Sequence, residues 1–141
     1  MHRPALLLLA CSMAALPARP QSPPSNQTKP SSRESTTIEG LVRDIACPIQ
    51  NAEAAATKFN LDCALECARH GSPLIIQTAD GTLYVPISDA MPDTDQRQKL
   101  MPFVGKYVRV TGSVFQRTGT RAIVIREIKE MRGVHLSTDL K

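Results

Sequence analysis

Three residues whose side chains can do chemistry fall within one short stretch of the chain: Cys63, Cys67 and His70. A helix has about 3.6 residues per turn, so each residue advances about 100° around the axis. In a helix these three side chains would therefore share one narrow face. A further cysteine, Cys47, precedes them in the chain. Clustered thiols can form a disulfide, bind a soft metal ion or take part in redox chemistry.

A disulfide from Cys47 to the helix is the first interpretation, because exported chains meet oxidising surroundings. Cys63 and Cys67 are one helical turn apart and are poorly placed to bond each other. Cys47 can pair with either of them, and one thiol is left over. Such a bridge would pin the helix to the rest of the domain and stabilise it by about 3 kcal/mol in the chain-entropy view.

Binding of a soft metal is the second interpretation. Cys47, Cys63, Cys67 and His70 form a Cys₃His set, and thiolates with an imidazole suit zinc or copper. His70 near the end of a helix is also simply a favourable cation at that place. The sequence leaves both roles open.

Thiol redox chemistry is the third interpretation. Cys63 would lie in the first turn of the helix, where the helix dipole lowers a thiol pKa, but Asp62 and Glu66 oppose that effect. The sequence has no C-x-x-C motif, phosphate-binding glycine loop, serine nucleophile motif or metalloprotease motif. No catalytic residue is predicted, and a role without enzymatic activity is favoured.

The helix that would carry these cysteines has recognisable ends. Asn60 suits the N-cap position, where its side chain can accept a backbone hydrogen bond. Gly71 can adopt the left-handed conformation that ends many helices. The face opposite the cysteines carries Leu61, Leu65 and Ala68, which we expect to pack on the domain.

Five other segments have the composition or alternation of β-strands. They are residues 36–47, 72–78, 82–87, 106–117 and 121–129. Pro48 is expected to end the first strand, and the Asp80-Gly81 pair predicts a tight turn between the second and third. Residues 51–59 and 94–100 are expected to form helical turns.

These elements predict a mainly β fold with one or two short helices. Short antiparallel hairpins and about 100 residues favour a small five-stranded barrel of the oligonucleotide/oligosaccharide-binding (OB) kind over residues 36–132. A β-sandwich with an appended helix is the alternative.

The two ends of the chain differ from this domain. Residues 1–18 have a basic start and a short apolar run, the plan of a signal peptide, and Cys11 follows a lipobox-like Leu-Leu-Ala that would make it a lipid anchor. Residues 19–35 are expected to be a disordered Pro/Ser-rich linker, and residues 133–141 a frayed polar tail. No apolar run approaches the roughly 20 residues that span a bilayer.

The charge of the chain is unevenly distributed. The net charge of +4 comes from the first 33 residues, because the chain from Glu34 onward has thirteen bases and thirteen acids. Tyr107, Arg109, Phe115 and Arg117 alternate along the fourth strand and offer stacking and charge to a ligand or partner. A neutral, exported domain argues against nucleic acid as that partner.

Several motifs together resemble a group of small exported bacterial domains. They are Gly-Leu-Val-Arg-Asp-Ile-Ala-Cys ending at Cys47, Cys63-x₃-Cys67, and Gly105-Lys106-Tyr107-Val108-Arg109-Val110-Thr111-Gly112. That group often has glycine after the first cysteine, where this chain has Pro48. The resemblance implies OB-like strands and a helix that carries the C-x₃-C motif.

The resemblance also implies a periplasmic or secreted location, with Cys11 as an anchor to the outer membrane if it is lipidated. The partner expected of such a domain is an unidentified small ligand or an envelope protein. No cofactor is expected unless the cysteines bind zinc or copper.

Overall fold

The structure, a computed structural model, describes residues 35–140. The predicted signal peptide, the lipobox at Cys11 and the predicted linker up to residue 34 lie outside the described residues. The elements in chain order are β1 (Ser35–Asp44), α1 (Ala46–Gln50), α2 (Leu61–Arg69), β2 (Leu74–Thr78), β3 (Leu83–Ile87), α3 (Arg97–Leu100), a 3₁₀ helix (Met101–Phe103), β4 (Tyr107–Arg117) and β5 (Thr120–Glu130).

The five strands form one sheet in the order β1-β2-β3-β5-β4, and β4 pairs in turn with β1. The pairing of β3 with β5 is parallel, and the other four pairings are antiparallel. Each strand therefore has two hydrogen-bonded neighbours, and we call this arrangement the closed sheet. The predicted mainly β fold with five strands and short helices is confirmed.

The inner face of the closed sheet holds the hydrophobic core. Ile38 pairs with Val110, and Val42 pairs with Ile76, so these side chains lie on the same face. All four are buried. The opposite face carries exposed side chains such as Arg109, and this contrast identifies the first face as the inside.

The outer face of β1 and β2 is buried as well, which the alternation of residues did not predict. Leu41, Arg43, Ile75 and Gln77 lie on this face and are all buried. The segment at residues 54–59 covers them: Gln77 Nε2 donates to the Ala54 carbonyl at 3.2 Å, and the Phe59 ring lies against the Arg43 guanidinium. The second half of β1, residues 40–44, is therefore buried on both faces.

The expectation of helical turns at residues 51–59 was wrong. This segment has turns and a short bridge between Ala55 and Lys58. Its buried residues are Ala54, Ala56 and Phe59, and the first two are spaced as in an extended chain. Contact with the outer face of β1 and β2 overrides the helix propensity of the alanines.

The expectation of a frayed tail at residues 133–141 was also wrong for the described part. Ser137 and Asp139 form bridges with Lys58 and Asn60, so the tail runs beside the segment that leads into α2. Leu140 is buried. The tail packs against the domain because it contains apolar residues such as Leu140, although most of its residues are polar.

Gly40 is predicted to be essential for the contact between β1 and β2. A Cβ atom at Gly40 would lie 2.4 Å from the Gln77 carbonyl oxygen. We expect Gly40→Ala to lower the free energy of unfolding by about 2–4 kcal/mol in urea denaturation, because the strands must separate.

Gly81→Ala is the matched control, since Gly81 has a φ of +82° and open space around the added methyl. Its cost should be limited to about 1–2 kcal/mol of backbone strain. Equal losses in the two variants would contradict the close approach at Gly40.

Candidate functional site: a cysteine cluster beside the end of β1

Helix α2 forms where the sequence predicts it. The Asn60 side chain accepts a hydrogen bond from Cys63 N at 2.7 Å, and Gly71 has a φ of +92° after the last turn. Ala64 and Ala68 are buried, whereas Cys63 is exposed and Cys67 is partly exposed. The cysteines therefore lie on the outer side of the helix, as expected from their spacing.

Cys47 reaches the helix by a different route from the predicted one. Strand β1 ends at Asp44 rather than at Cys47, because the Asp44 carboxylate accepts a hydrogen bond from Cys47 N at 2.9 Å and turns the chain. Pro48 does not end the strand but lies within the short helix α1, near its start, where a missing N–H is tolerated. Ile45 N donates to the Pro73 carbonyl at 3.0 Å and holds this corner beside the start of β2.

These local structures bring three thiols together, and we call Cys47, Cys63 and Cys67 the cysteine cluster. The Sγ atoms of Cys63 and Cys67 are 3.9 Å apart. The Cys47 and Cys63 thiols each influence the pKa of the other, so they lie near each other. All three cysteines are free in the structure. The pKa of Cys63 is influenced by both Cys47 and Cys67, so Cys63 is the helix cysteine with which Cys47 interacts.

The environment of the cluster favours protonated thiols. Burial raises the pKa of Cys47, and the charges of Asp44 and Cys63 add to that effect while Arg43 opposes it. The pKa of Cys63 is also raised, first by burial and then by its hydrogen bond and charge interaction with Cys67. A raised pKa leaves little thiolate at neutral pH, so Cys47 and Cys63 are poor nucleophiles when reduced.

Two charged residues beneath the cluster were missed by the sequence analysis. Arg43 and Asp44 are fully buried. Arg43 Nη1 donates to Gln77 Oε1 at 3.3 Å, but its Nε and Nη2 have no hydrogen-bond partner among residues 35–140. Asp44 Oδ2 likewise has none there. Their signal in the sequence was two adjacent charges directly after the apolar pair Leu41 and Val42, and it was not considered.

His70 is engaged elsewhere. Its Nε2 lies 2.8 Å from Glu66 Oε1, and Glu66 also pairs with Arg69 at 3.0 Å. The hydrogen bonds from Arg69 and then His70 lower the pKa of Glu66. Within the described part of the chain, no group of three or more His, Cys, Asp or Glu side chains is arranged to hold a metal ion.

The predicted ligand surface on β4 is divided. Tyr107 is buried, and Arg109 is exposed but paired with Glu39 at 2.7 Å. Phe115 and Arg117 are exposed near the end of the strand. Of these four residues, Phe115 and Arg117 therefore lie at the end of the β4–β5 hairpin, away from Tyr107 and Arg109.

Comparison of the chain with protein families, with curated proteins and with solved structures found no match in any of the three. None of the helices between residues 35 and 140 is both long enough and apolar enough to cross a membrane.

Asn60 is predicted to couple the cysteine helix to the tail, because its Oδ1 caps α2 while its Nδ2 donates to the Leu140 carbonyl at 2.8 Å. We expect Asn60→Ala to lower the free energy of unfolding by about 1–2 kcal/mol in urea denaturation.

Asn60→Asp is the control, because it keeps the capping oxygen and loses only the donor to Leu140. It should retain most of the helix stability and increase hydrogen exchange in the tail alone. The prediction would fail if both variants destabilised the helix equally.

Proposed function

We propose that the chain is an exported OB-like binding domain without enzymatic activity, locked by a disulfide between Cys47 and Cys63. The strand order of the closed sheet supports an OB-like barrel. The OB-fold has five strands in a nearly closed barrel. Here too the ring of five strands is completed by the pairing of β1 with β4.

Export is supported by the sequence before residue 35. The basic start, the apolar run and the small residues up to position 18 have the plan of a signal peptide, and the Pro/Ser-rich stretch that follows suits a tether. The domain would then work in the periplasm or outside the cell, with Cys11 as an anchor to the outer membrane if it is lipidated. Those compartments allow disulfides to persist.

The disulfide proposal rests on the nearness of the Cys47 and Cys63 thiols, each of which influences the pKa of the other. The two residues come from separate elements, the short helix α1 and the first turn of α2. A thiol oxidant of the export compartment would accept the two electrons and two protons of the thiols, and the sulfurs would come to about 2.05 Å from each other. The bridge would fasten α2 to the closed sheet, and Cys67 would keep a free thiol.

The raised pKa values of Cys47 and Cys63 favour this structural role over thiol catalysis. A redox enzyme needs an attacking thiolate, which nearby cations and helix N-termini stabilise. Here burial and the Asp44 charge act in the other direction on both thiols. The thiol redox alternative therefore has less support than the bridge.

Serine substitutions test the bridge. In protein produced with export, Cys47→Ser and Cys63→Ser should each lower the free energy of unfolding by about 3 kcal/mol. Cys67→Ser, the matched control, should have little effect. The unmodified protein should lose the same amount when dithiothreitol is added during urea denaturation.

The pattern of losses identifies the partner of Cys47. If Cys67→Ser lowered the free energy of unfolding and Cys63→Ser did not, the bridge would be assigned to Cys67. If all three serine variants were as stable as the unmodified protein under oxidising conditions, a stabilising bridge would be refuted.

A soft-metal site is the second candidate, and the spacing of Cys63 and Cys67 favours it. Zinc–sulfur bonds of about 2.3 Å in a tetrahedron place two sulfur ligands roughly 3.8 Å apart. The observed distance between these two Sγ atoms is 3.9 Å. Cys47 would supply a third thiolate, and His70 would supply the fourth ligand only after leaving Glu66.

Metal analysis tests this candidate. Protein purified under reducing conditions and dialysed against zinc should hold one zinc ion per chain by elemental mass spectrometry, and Cys63→Ser should hold none. If His70 supplies the fourth ligand, His70→Ala should also weaken zinc retention. If the unmodified protein retained no more zinc than the Cys63→Ser variant, the site would be excluded.

A further inference from the structure

The outer face of β3, β4 and β5 carries apolar side chains that lie outside the core. Phe115 pairs with Ala122 across β4 and β5, and Ile87 pairs with Val124 across β3 and β5. Ile123 is fully buried in the core cluster, so its two neighbours on β5, Ala122 and Val124, point outward. Paired residues lie on the same face of a sheet, so Phe115 and Ile87 point outward as well.

A loop beside these strands completes the apolar surface. Residues 88–91 follow β3, and with Ile87, Phe115 and Val124 they line a cavity of about 170 Å³. Pockets for drug-sized ligands enclose roughly 300–1,000 Å³, so this cavity has room for little more than one side chain. We call Ile87, Met91, Phe115 and Val124 the outer patch.

Met91 projects from a loop that is held in place. Its side chain is 93% exposed. The backbone N and the Oγ of Ser88 both donate to Asp93 Oδ1 at 2.7 Å, and Thr94 N donates to Ser88 Oγ at 3.0 Å. Ordering a loop on association is costly, and a loop that is already ordered avoids that cost. Methionine adapts to irregular apolar gaps, so Met91 is suited to fill a cavity of this size on another molecule.

Two opposite charges flank the outer patch. Asp89 lines the cavity on the side of the loop. Arg117 follows Phe115 by two residues on β4, which places it on the same face at the side of the hairpin. Both residues are exposed, and neither belongs to an ion pair among residues 35–140. By contrast, Arg109 on the same strand is paired with Glu39.

We propose that the outer patch is the interface of a two-fold symmetric dimer of this chain. In such an interface the same surface meets itself, so the loop side of one copy can face the hairpin side of the other. Met91 of each copy enters the cavity of the other copy, and Asp89 of each copy meets Arg117 of the other. A different protein would have to supply an apolar side chain, a cation and an anion in matching places, whereas a second copy supplies all three.

The inference goes beyond the proposed function, because it assigns a partner to a surface that no cysteine lines. It does not depend on the state of the cysteines. The bridge is measured by peptide mass and the dimer by sedimentation, so failure of one proposal leaves the other standing.

Sedimentation velocity of the full chain tests the proposal. Between about 10 μM and about 1 mM, a range that covers weak and transient interfaces, the sedimentation coefficient should rise from that of a monomer to that of a dimer. The same protein should run as a monomer on a denaturing gel without reductant, because no intermolecular disulfide holds the dimer.

A matched pair of variants isolates the contribution of Met91. Met91→Gln keeps the length of the side chain and removes its apolar end, so it should weaken dimerisation at least about tenfold. Met101→Gln makes the same change at another exposed methionine, which does not line the cavity, and should alter dimerisation less than about twofold.

Charge reversal tests the contact between the two copies. Asp89→Arg and Arg117→Asp each place like charges opposite one another and should weaken dimerisation at least about tenfold, whereas the double variant should recover the affinity of the unmodified chain. A monomer at all concentrations, a dimer that persists on the denaturing gel without reductant, or a double variant as weak as the single variants would overturn the proposal.

Discussion

The hydrogen bond from Cys47 N to Asp44 Oδ1 sets the direction of the chain where β1 ends. It ends β1, turns the chain into α1 and brings the Cys47 thiol to Cys63. The acceptor at this turn is buried, because Asp44 lies on the inner side of β1. Asp44 therefore combines two roles, as the end of a core strand and as the support of the cysteine cluster.

Burial of β1 on both faces also explains the unusual charges next to the cluster. Arg43 faces the outer layer, where Gln77 and the Phe59 ring receive its guanidinium, and Asp44 lies on the inner side of the same strand. Buried charged groups are expensive unless they are paired or hydrogen-bonded, and each of these two is only partly satisfied. The unmet groups lie beside three thiols, which makes this corner the chemically distinctive part of the described chain.

Local signals predicted the parts of the fold that depend on local physics. Strand alternation and the Asp80-Gly81 turn placed the five strands, and Asn60 with Gly71 placed α2 and the outward face of its cysteines. The errors fall where tertiary contact decides. Residues 51–59 have helix-forming alanines but adopt turns against β1 and β2, and the polar tail docks through Leu140. The outer patch could not be foreseen, because it depends on how the loop at residues 88–91 lies beside β4 and β5.

The central proposal is a disulfide between Cys47 and Cys63, and disulfide mapping tests it most directly. Protein recovered from its export compartment would be alkylated, digested without reduction and examined by peptide mass spectrometry. The account predicts a linked pair of peptides containing Cys47 and Cys63, two daltons below the sum of the reduced peptides, with Cys67 alkylated. A Cys63–Cys67 link, or alkylation of all three cysteines in exported protein free of metal, would contradict it.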